Sequence, residues 1–439
     1  MFTIGLFFFY AVWRKGGTTT ALFELGPFYI SIVLLYTVIP MALIILRNHY
    51  NLPLTNGRLD ENSFGIEDVA VIGLYSMLYI GAFSGGYLIA RGNCPSRVAI
   101  KGDWRYAPIH AIVVCIVIVQ LLIEIVNRSY KLTLGSYWDM YIAIDRMPMI
   151  LKQLYSHAQG WFVAFLVMGG AFLFGRYKKY RYVIYLCAGT AIFRVFYVMH
   201  SRFDVMLILG VCILHYDRLV KRLRLWKVLL AGGLVFLIFD VAGLMRSGER
   251  AEAFWMNGGE FEAMFVNALD LRVKRDAGMV DLSPFSVVLS NVVNVVPQQV
   301  LPFRKVVLSS WYVDTFYEDY KNTGGGLAFG ALSEAVIGYG IVDLLVQALV
   351  LGLVFGWIHR RCSTRGVGFW GWSFYTWFRI VSYECFRDNS GVMIILFSHM
   401  WLPALVCVYS VNALLKGRRS IGGRIGDMVS AGCLSIVDR

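Results

Sequence analysis

Long apolar runs alternate with short polar blocks along almost the whole chain. The runs at 26–46, 69–90, 109–126, 161–174, 182–198, 205–216, 228–245, 340–358, 367–385 and 392–415 approach the roughly 20 residues that a helix needs to cross a bilayer core. Met1 to Trp13 is apolar but short, which makes it either a clipped or tilted span or an interfacial helix. If every run crosses, nearly all strongly basic blocks fall on one face. They are Arg91 to Arg105, Arg176 to Arg181, Arg218 to Lys227, Arg360-Arg361 and Lys416 to Arg424. That is the distribution of the positive-inside rule. The pattern predicts an all-α polytopic integral membrane protein, a single domain over 1–439 with about ten or eleven transmembrane helices. One long external loop covers 246–325, and a basic tail over 416–439 faces the cytoplasm.

The chain is organised around Asn322 to Arg361, where the long polar segment joins a membrane run. Gly338-Tyr339-Gly340 predicts a break, so Leu327 to Ile337 reads as a separate short helix at the external face. Glu334 lies on that helix, beside the flexible Gly324-Gly325-Gly326. A carboxylate there is a candidate for chemistry, and a solvated interfacial glutamate is the plainer alternative.

Composition supports the membrane assignment: 58% of residues are hydrophobic, 16% are charged, and the mean hydropathy is +0.61. The net charge of +13 would fit nucleic acid, but its short blocks between apolar runs assign it to topology instead. The eight cysteines show no CxxC spacing, so neither a metal site nor a disulfide framework is expected. The N-terminus lacks the pattern of a cleavable signal peptide, and no Walker A loop is present.

Ionisable residues inside spans are costly and usually face a polar cavity. On this topology Arg194, Asp240, Asp343, Arg379, Glu384 and His399 fall between mid-membrane and the external surface, with no comparable set on the cytoplasmic side. A cavity open outward is expected. Arg194 with Arg202, and Arg379 with Arg387, are each eight apart, which puts each pair on one side of a continuous helix roughly 12 Å apart. Arginine forks suit phosphate oxygens. Pairing with Asp204, Asp240 or Glu384 is the structural alternative. His399 is a candidate base or a packing hydrogen-bonder, and Asp388 lies in an external turn. Trp138, Asp139, Tyr141, Asp145 and Arg146 mix aromatic and charged groups, as sugar sites and membrane interfaces both do.

Several stretches carry a resemblance. They are Ser201-Arg202, the run from Val296 through Pro297, Pro302 and Arg304 to Lys305, Gly325-Gly326, and Ser333-Glu334-Ala335-Val336-Ile337-Gly338-Tyr339-Gly340. In these the chain resembles the bacterial oligosaccharide repeat-unit polymerases, the Wzy-type enzymes of O-antigen and exopolysaccharide assembly, best over its C-terminal half. The resemblance implies a GT-C-like membrane glycosyltransferase of the bacterial inner membrane. It would join undecaprenyl-diphosphate-linked oligosaccharides on the periplasmic side, needing no cofactor, metal or nucleotide sugar. Its expected partners are that lipid-linked substrate, membrane lipid and a chain-length regulator, and no nucleic acid. Catalysis would fall to Glu334, Asp388 or His399. Arg194, Arg202, Arg246, Arg250, Arg304, Tyr339, Arg379 and Arg387 are the substrate-binding candidates.

Three other readings compete, one of them another membrane transferase such as an acyltransferase. An O-antigen ligase would use the same donor with a different acceptor. A lipid-linked oligosaccharide flippase would be a transporter, with polar positions on both sides of the midplane.

Overall fold

A computed structural model describes residues 24–50, 64–96, 98–99, 108–132, 142–144, 146–173, 181–194, 202–219, 259–294, 306–318, 328–389 and 391–416, and isolated positions between them. Among the described residues the fold is all-helical, with no strand. In chain order the helices are α1 (Leu25–Tyr50), α2 (Ile66–Arg91), α3 (Ile109–Ser129), α4 (Met149–Leu173), α5 (Arg181–Arg194), α6 (Arg202–Leu219) and α7 (Gly259–Asp276). They continue with α8 (Pro284–Val293), α9 (Leu308–Phe316), α10 (Gly330–Ile337), α11 (Ile341–Arg365), α12 (Phe369–Val381), α13 (Glu384–Arg387) and α14 (Val392–Lys416). Helix α14 contains a π-turn at Phe397–Trp401. Among the described residues five helices are long and apolar enough to cross a membrane: α1, α2, α3, α11 and α14.

The centre of the bundle is the pair α2 and α11. Gly86 of α2 approaches Leu349, and Gly352 and Gly356 of α11 approach the carbonyl oxygens of Phe83 and Tyr87. Position numbers rise together along both helices, so they run parallel. That agrees with the common direction in which the basic blocks send them. Small residues permit this, because lipid supplies no hydrophobic drive and association rests on close backbone packing. Helix α1 runs the other way on α2, its Glu24 end beside Arg91 and its Tyr29 against Tyr79 and Phe83.

Residues 246–325, expected as an external loop, include three helices among those described. The first, α7, is packed into the bundle against α1, α2 and α10, with Met264, Phe265, Leu269 and Leu271 buried. Arg272 ties it to Asp68 at the start of α2, 2.9 Å away. The polar stretch between the apolar runs at 109–126 and 161–174 is also partly helical. Helix α4 begins at Met149, and its Tyr155 donates to Asn127 at the end of α3, 2.6 Å away.

Candidate functional site

Helix α10 is only eight residues long, too short to stand alone in water, and every one of its residues is buried. Its two ends explain how it holds. Gly330 and Gly340 bracket it with φ of 78° and 66°, a region that suits glycine. A side chain on Gly330 would also press on Met264 and on the Phe386 carbonyl. Helix α7 then clamps it: Asn267 donates to the Ala328 carbonyl, 2.6 Å away, and Arg275 donates to the Val336 carbonyl. A cation on the last carbonyls of a helix is also favoured by the helix dipole.

This clamp sets the depth of Glu334. The carboxylate is fully buried, within electrostatic range of the Tyr79 hydroxyl and the Cys385 thiol. Tyr79 is midway along α2, and its hydroxyl shares a 2.5 Å hydrogen bond with Tyr29. Glu334 therefore lies about half-way down the bundle, whereas the sequence placed it at the external rim. The cause is the start of α11. A side chain on Gly340 would begin 3.6 Å from the Tyr75 hydroxyl, nine residues into α2, or roughly 13 Å along a helix of 1.5 Å rise. The break at Gly338-Tyr339-Gly340 is present as a turn, beside Tyr75 of α2 rather than at the start of that helix. Next to Glu334, the buried Ser333 hydroxyl finds no hydrogen-bond partner among the described residues.

The same junction receives the turn after α12. The Gly330 amide donates to the Asp388 carbonyl, 2.8 Å away, and the Phe386 ring rests 5.1 Å from that of Tyr79. Two candidate segments far apart in the sequence, 330–337 and 384–389, thus meet in the interior. Arg387 is half-buried and paired with Glu384 at 3.2 Å.

The predicted arginine stripe does not form as drawn. Helix α12 ends at Val381, and Ser382-Tyr383 turn before α13 begins. Arg379 is buried, with its guanidinium 5.6 Å from the Tyr375 ring centre and within electrostatic range of Asp217. It and Arg387 therefore serve different neighbourhoods. Tyr339 is exposed. Asp343 accepts a hydrogen bond from Gln347 at 2.9 Å. His399 lies in the π-turn of α14 and packs on α4 rather than on α10. Arg194 and Arg202 fall at the ends of α5 and α6, and their side chains lie outside the described residues, as does that of Asp204. Arg246, Arg250, Arg304, Asp240 and Gly324 to Gly326 also lie outside them.

The expectation that deep charges occupy only the half away from the basic blocks is overturned at the end of the bundle that carries those blocks. Glu24, Arg91 and His359 are all fully buried there. Arg91 grips both carboxylate oxygens of Glu24, and its second amino group also donates to Ser96 at 2.9 Å. Tyr87 donates to Glu24 at 2.7 Å. His359 lies between the Pro95 carbonyl at 3.2 Å and the Tyr375 hydroxyl at 2.8 Å. Every member has a partner, so the cluster reads as a charge-neutral fastening of α1, α2, α11 and α12. Sequence reasoning missed it because Glu24 and Arg91 lie at the edges of apolar runs, where charges count as loop.

No family model, curated protein or solved structure matches this chain. The geometry of the junction therefore carries the functional reading.

A second polar cluster lies outside the spans. Tyr312 and Tyr317 of the α9 region donate to Asp270 of α7 at 2.6 and 2.8 Å, and Lys274 pairs with the same carboxylate. Burial, reinforced by the Asp270 charge, pushes the Tyr312 hydroxyl well above its ordinary range. It stays protonated and donating, which fixes α9 on α7.

Proposed function

We propose that this chain is a membrane glycosyltransferase of the Wzy type, GT-C-like. On this reading it polymerises polyprenyl-diphosphate-linked oligosaccharide repeat units at the periplasmic side of the bacterial inner membrane. The observation that carries the reading is the junction of α10 with the α12 to α14 turn. It brings the segment of Glu334 beside that of Arg387 and Asp388, inside an all-helical bundle. A lipid-linked diphosphate enters from the bilayer, so a site within the bundle suits it better than one at the surface. Arg387 offers a guanidinium fork to phosphate oxygens. Glu334, fully buried, is the candidate to take the proton from the acceptor hydroxyl. The C–O bond to the donor diphosphate breaks as the new glycosidic bond forms, and the diphosphate leaves with the electron pair. The neighbouring Ser333 hydroxyl, buried and without a hydrogen-bond partner among the described residues, is a second candidate to bond a polar group of the substrate.

The cytoplasmic cluster removes one argument against a flippase, since buried charge is now found at both ends. Its complete internal pairing still favours a fastening over a substrate path. The deciding experiment incubates the purified chain with a defined lipid-linked repeat unit and looks for a ladder of products. General-base assistance contributes about 10²- to 10⁴-fold in rate, so Glu334→Gln should lose activity on that scale while its abundance is unchanged. Wild-type protein that moves the lipid across proteoliposome membranes without making a ladder would overturn the reading in favour of transport. A ladder formed at the wild-type rate by Glu334→Gln would transfer the role to Asp388 or His399.

A further inference from the structure

Two histidines on different helices face one another in the half of the bundle that the basic blocks leave external. His157 on α4 and His399 on α14 have ring centres 5.2 Å apart, tilted by 54°, and both side chains are half-buried. Among the described residues, neither ring makes a hydrogen bond. The buried histidines of the bundle differ. His215 bonds the Val167 carbonyl at 3.0 Å, and His359 is bonded at both nitrogens.

One tryptophan holds both members in place. The Trp161 ring stacks on His157 at 6.4 Å, one helical turn away, and its indole N–H donates to the His399 carbonyl at 2.7 Å. His399 lies at the centre of the π-turn Phe397–Trp401. Such a turn inserts a residue, leaves carbonyls in need of other donors, and is frequent at functional sites. The backbone irregularity and the facing rings thus occur at one place and share one support.

The spacing has a chemical meaning. Two imidazoles bound to one tetrahedral ion, with metal–nitrogen distances of about 2.0–2.1 Å, set their ring centres roughly 5 Å apart. We infer that His157 and His399 form an open two-histidine site for a divalent transition-metal ion, of the class of Zn²⁺, Ni²⁺, Co²⁺ or Cu²⁺. Imidazole suits these ions. No group of three or more His, Cys, Asp or Glu side chains that could hold a metal occurs among the described residues. Among the described residues nothing else completes the site, which leaves the remaining coordination positions to water or to an oxygen of a bound anion. Trp161 is a positioning residue in this arrangement. The inference stands apart from the polymerase reading, because ion binding and ladder formation are measured separately.

The test uses the full chain without a polyhistidine tag, purified in detergent. Titration with Cu²⁺ alone, followed by electron paramagnetic resonance, should show one ion with nitrogen ligation. His157→Ala and His399→Ala should each weaken it by tenfold or more, whereas His49→Ala should leave it unchanged. Trp161→Phe keeps the ring and loses the donor, so it should weaken binding by about 10- to 100-fold, as support to metal ligands generally does. Should a variant fail to fold, the wild-type chain still decides. Diethylpyrocarbonate should modify His157 and His399, and Zn²⁺ alone should protect both. Nitrogen-ligated binding that survives both alanine substitutions, or modification that Zn²⁺ leaves untouched, would overturn the site.

Discussion

A carboxylate and a guanidinium that both leave water have only neighbouring groups to replace it. For Glu24 and Arg91 the replacement is complete, since Tyr87, Ser96 and their mutual bidentate contact satisfy them. Removing one partner of such a pair costs about 3–5 kcal/mol, whereas replacing both by apolar groups of similar size is often neutral. Glu24→Gln should therefore lower the thermal midpoint of the detergent-solubilised protein sharply. The double variant Glu24→Gln, Arg91→Met should recover much of that loss. Equal loss in both would show that packing, and not the buried charge, holds this end together. Glu334 poses a different problem at the same scale. Its residue type and its place on a short helix were readable from the sequence, but its depth was not. Depth depends on where α11 starts along α2, a relation between segments 265 residues apart that no local pattern encodes.

At the scale of elements, the parallel packing of α2 and α11 depends on three glycines that let backbone meet backbone. A methyl on Gly352 would overlap the Phe83 carbonyl, and one on Gly356 would sit 2.5 Å from that of Tyr87. These neighbours are main chain inside helices and cannot swing aside, so the helices must part. Overpacking of this kind typically costs about 1–3 kcal/mol. Gly352→Ala should reduce accumulation and thermal midpoint, while Gly81→Ala, which meets nothing within 4 Å, should be silent or slightly stabilising as a better helix former. A silent Gly352→Ala would show that the two helices are further apart than described. The apolar run from 340 to 358 made α11 legible, and Gly338-Tyr339-Gly340 marked its start. The arginine stripe was misread for a related reason. Spacing of eight implies one face only while the helix persists, and Ser382-Tyr383 interrupts it. Helix α7 was hidden by its charges, because Asp270, Arg272 and Lys274 make a wedged helix resemble loop.

At the scale of the molecule, the direction of each span follows from where the basic blocks lie, and the structure adds that α2 and α11 point the same way. Charge distribution alone would tolerate an odd number of crossings being miscounted between them. Parallel packing does not, since one missed crossing would turn α11 against α2. The ends of α2 and α11 that carry basic blocks are further joined by the Val367 amide, which donates to the Ala99 carbonyl at 2.8 Å, so the two basic loops share one face. By the positive-inside rule Thr364, exposed near the end of α11, is expected to face the cytoplasm, and Thr315, exposed on α9, the other side. A cysteine at Thr315 should react with a membrane-impermeant maleimide in intact spheroplasts, above the labelling of the unsubstituted chain. One at Thr364 should react only after the membrane is opened. The polymerase reading requires the lipid-linked donor to reach Glu334 and Arg387 from the face that Thr315 marks. Labelling of Thr364→Cys in intact cells would invert the molecule and put the junction on the cytoplasmic side. A donor already carried across the membrane could not then be its substrate, and the polymerase reading would fall with the topology.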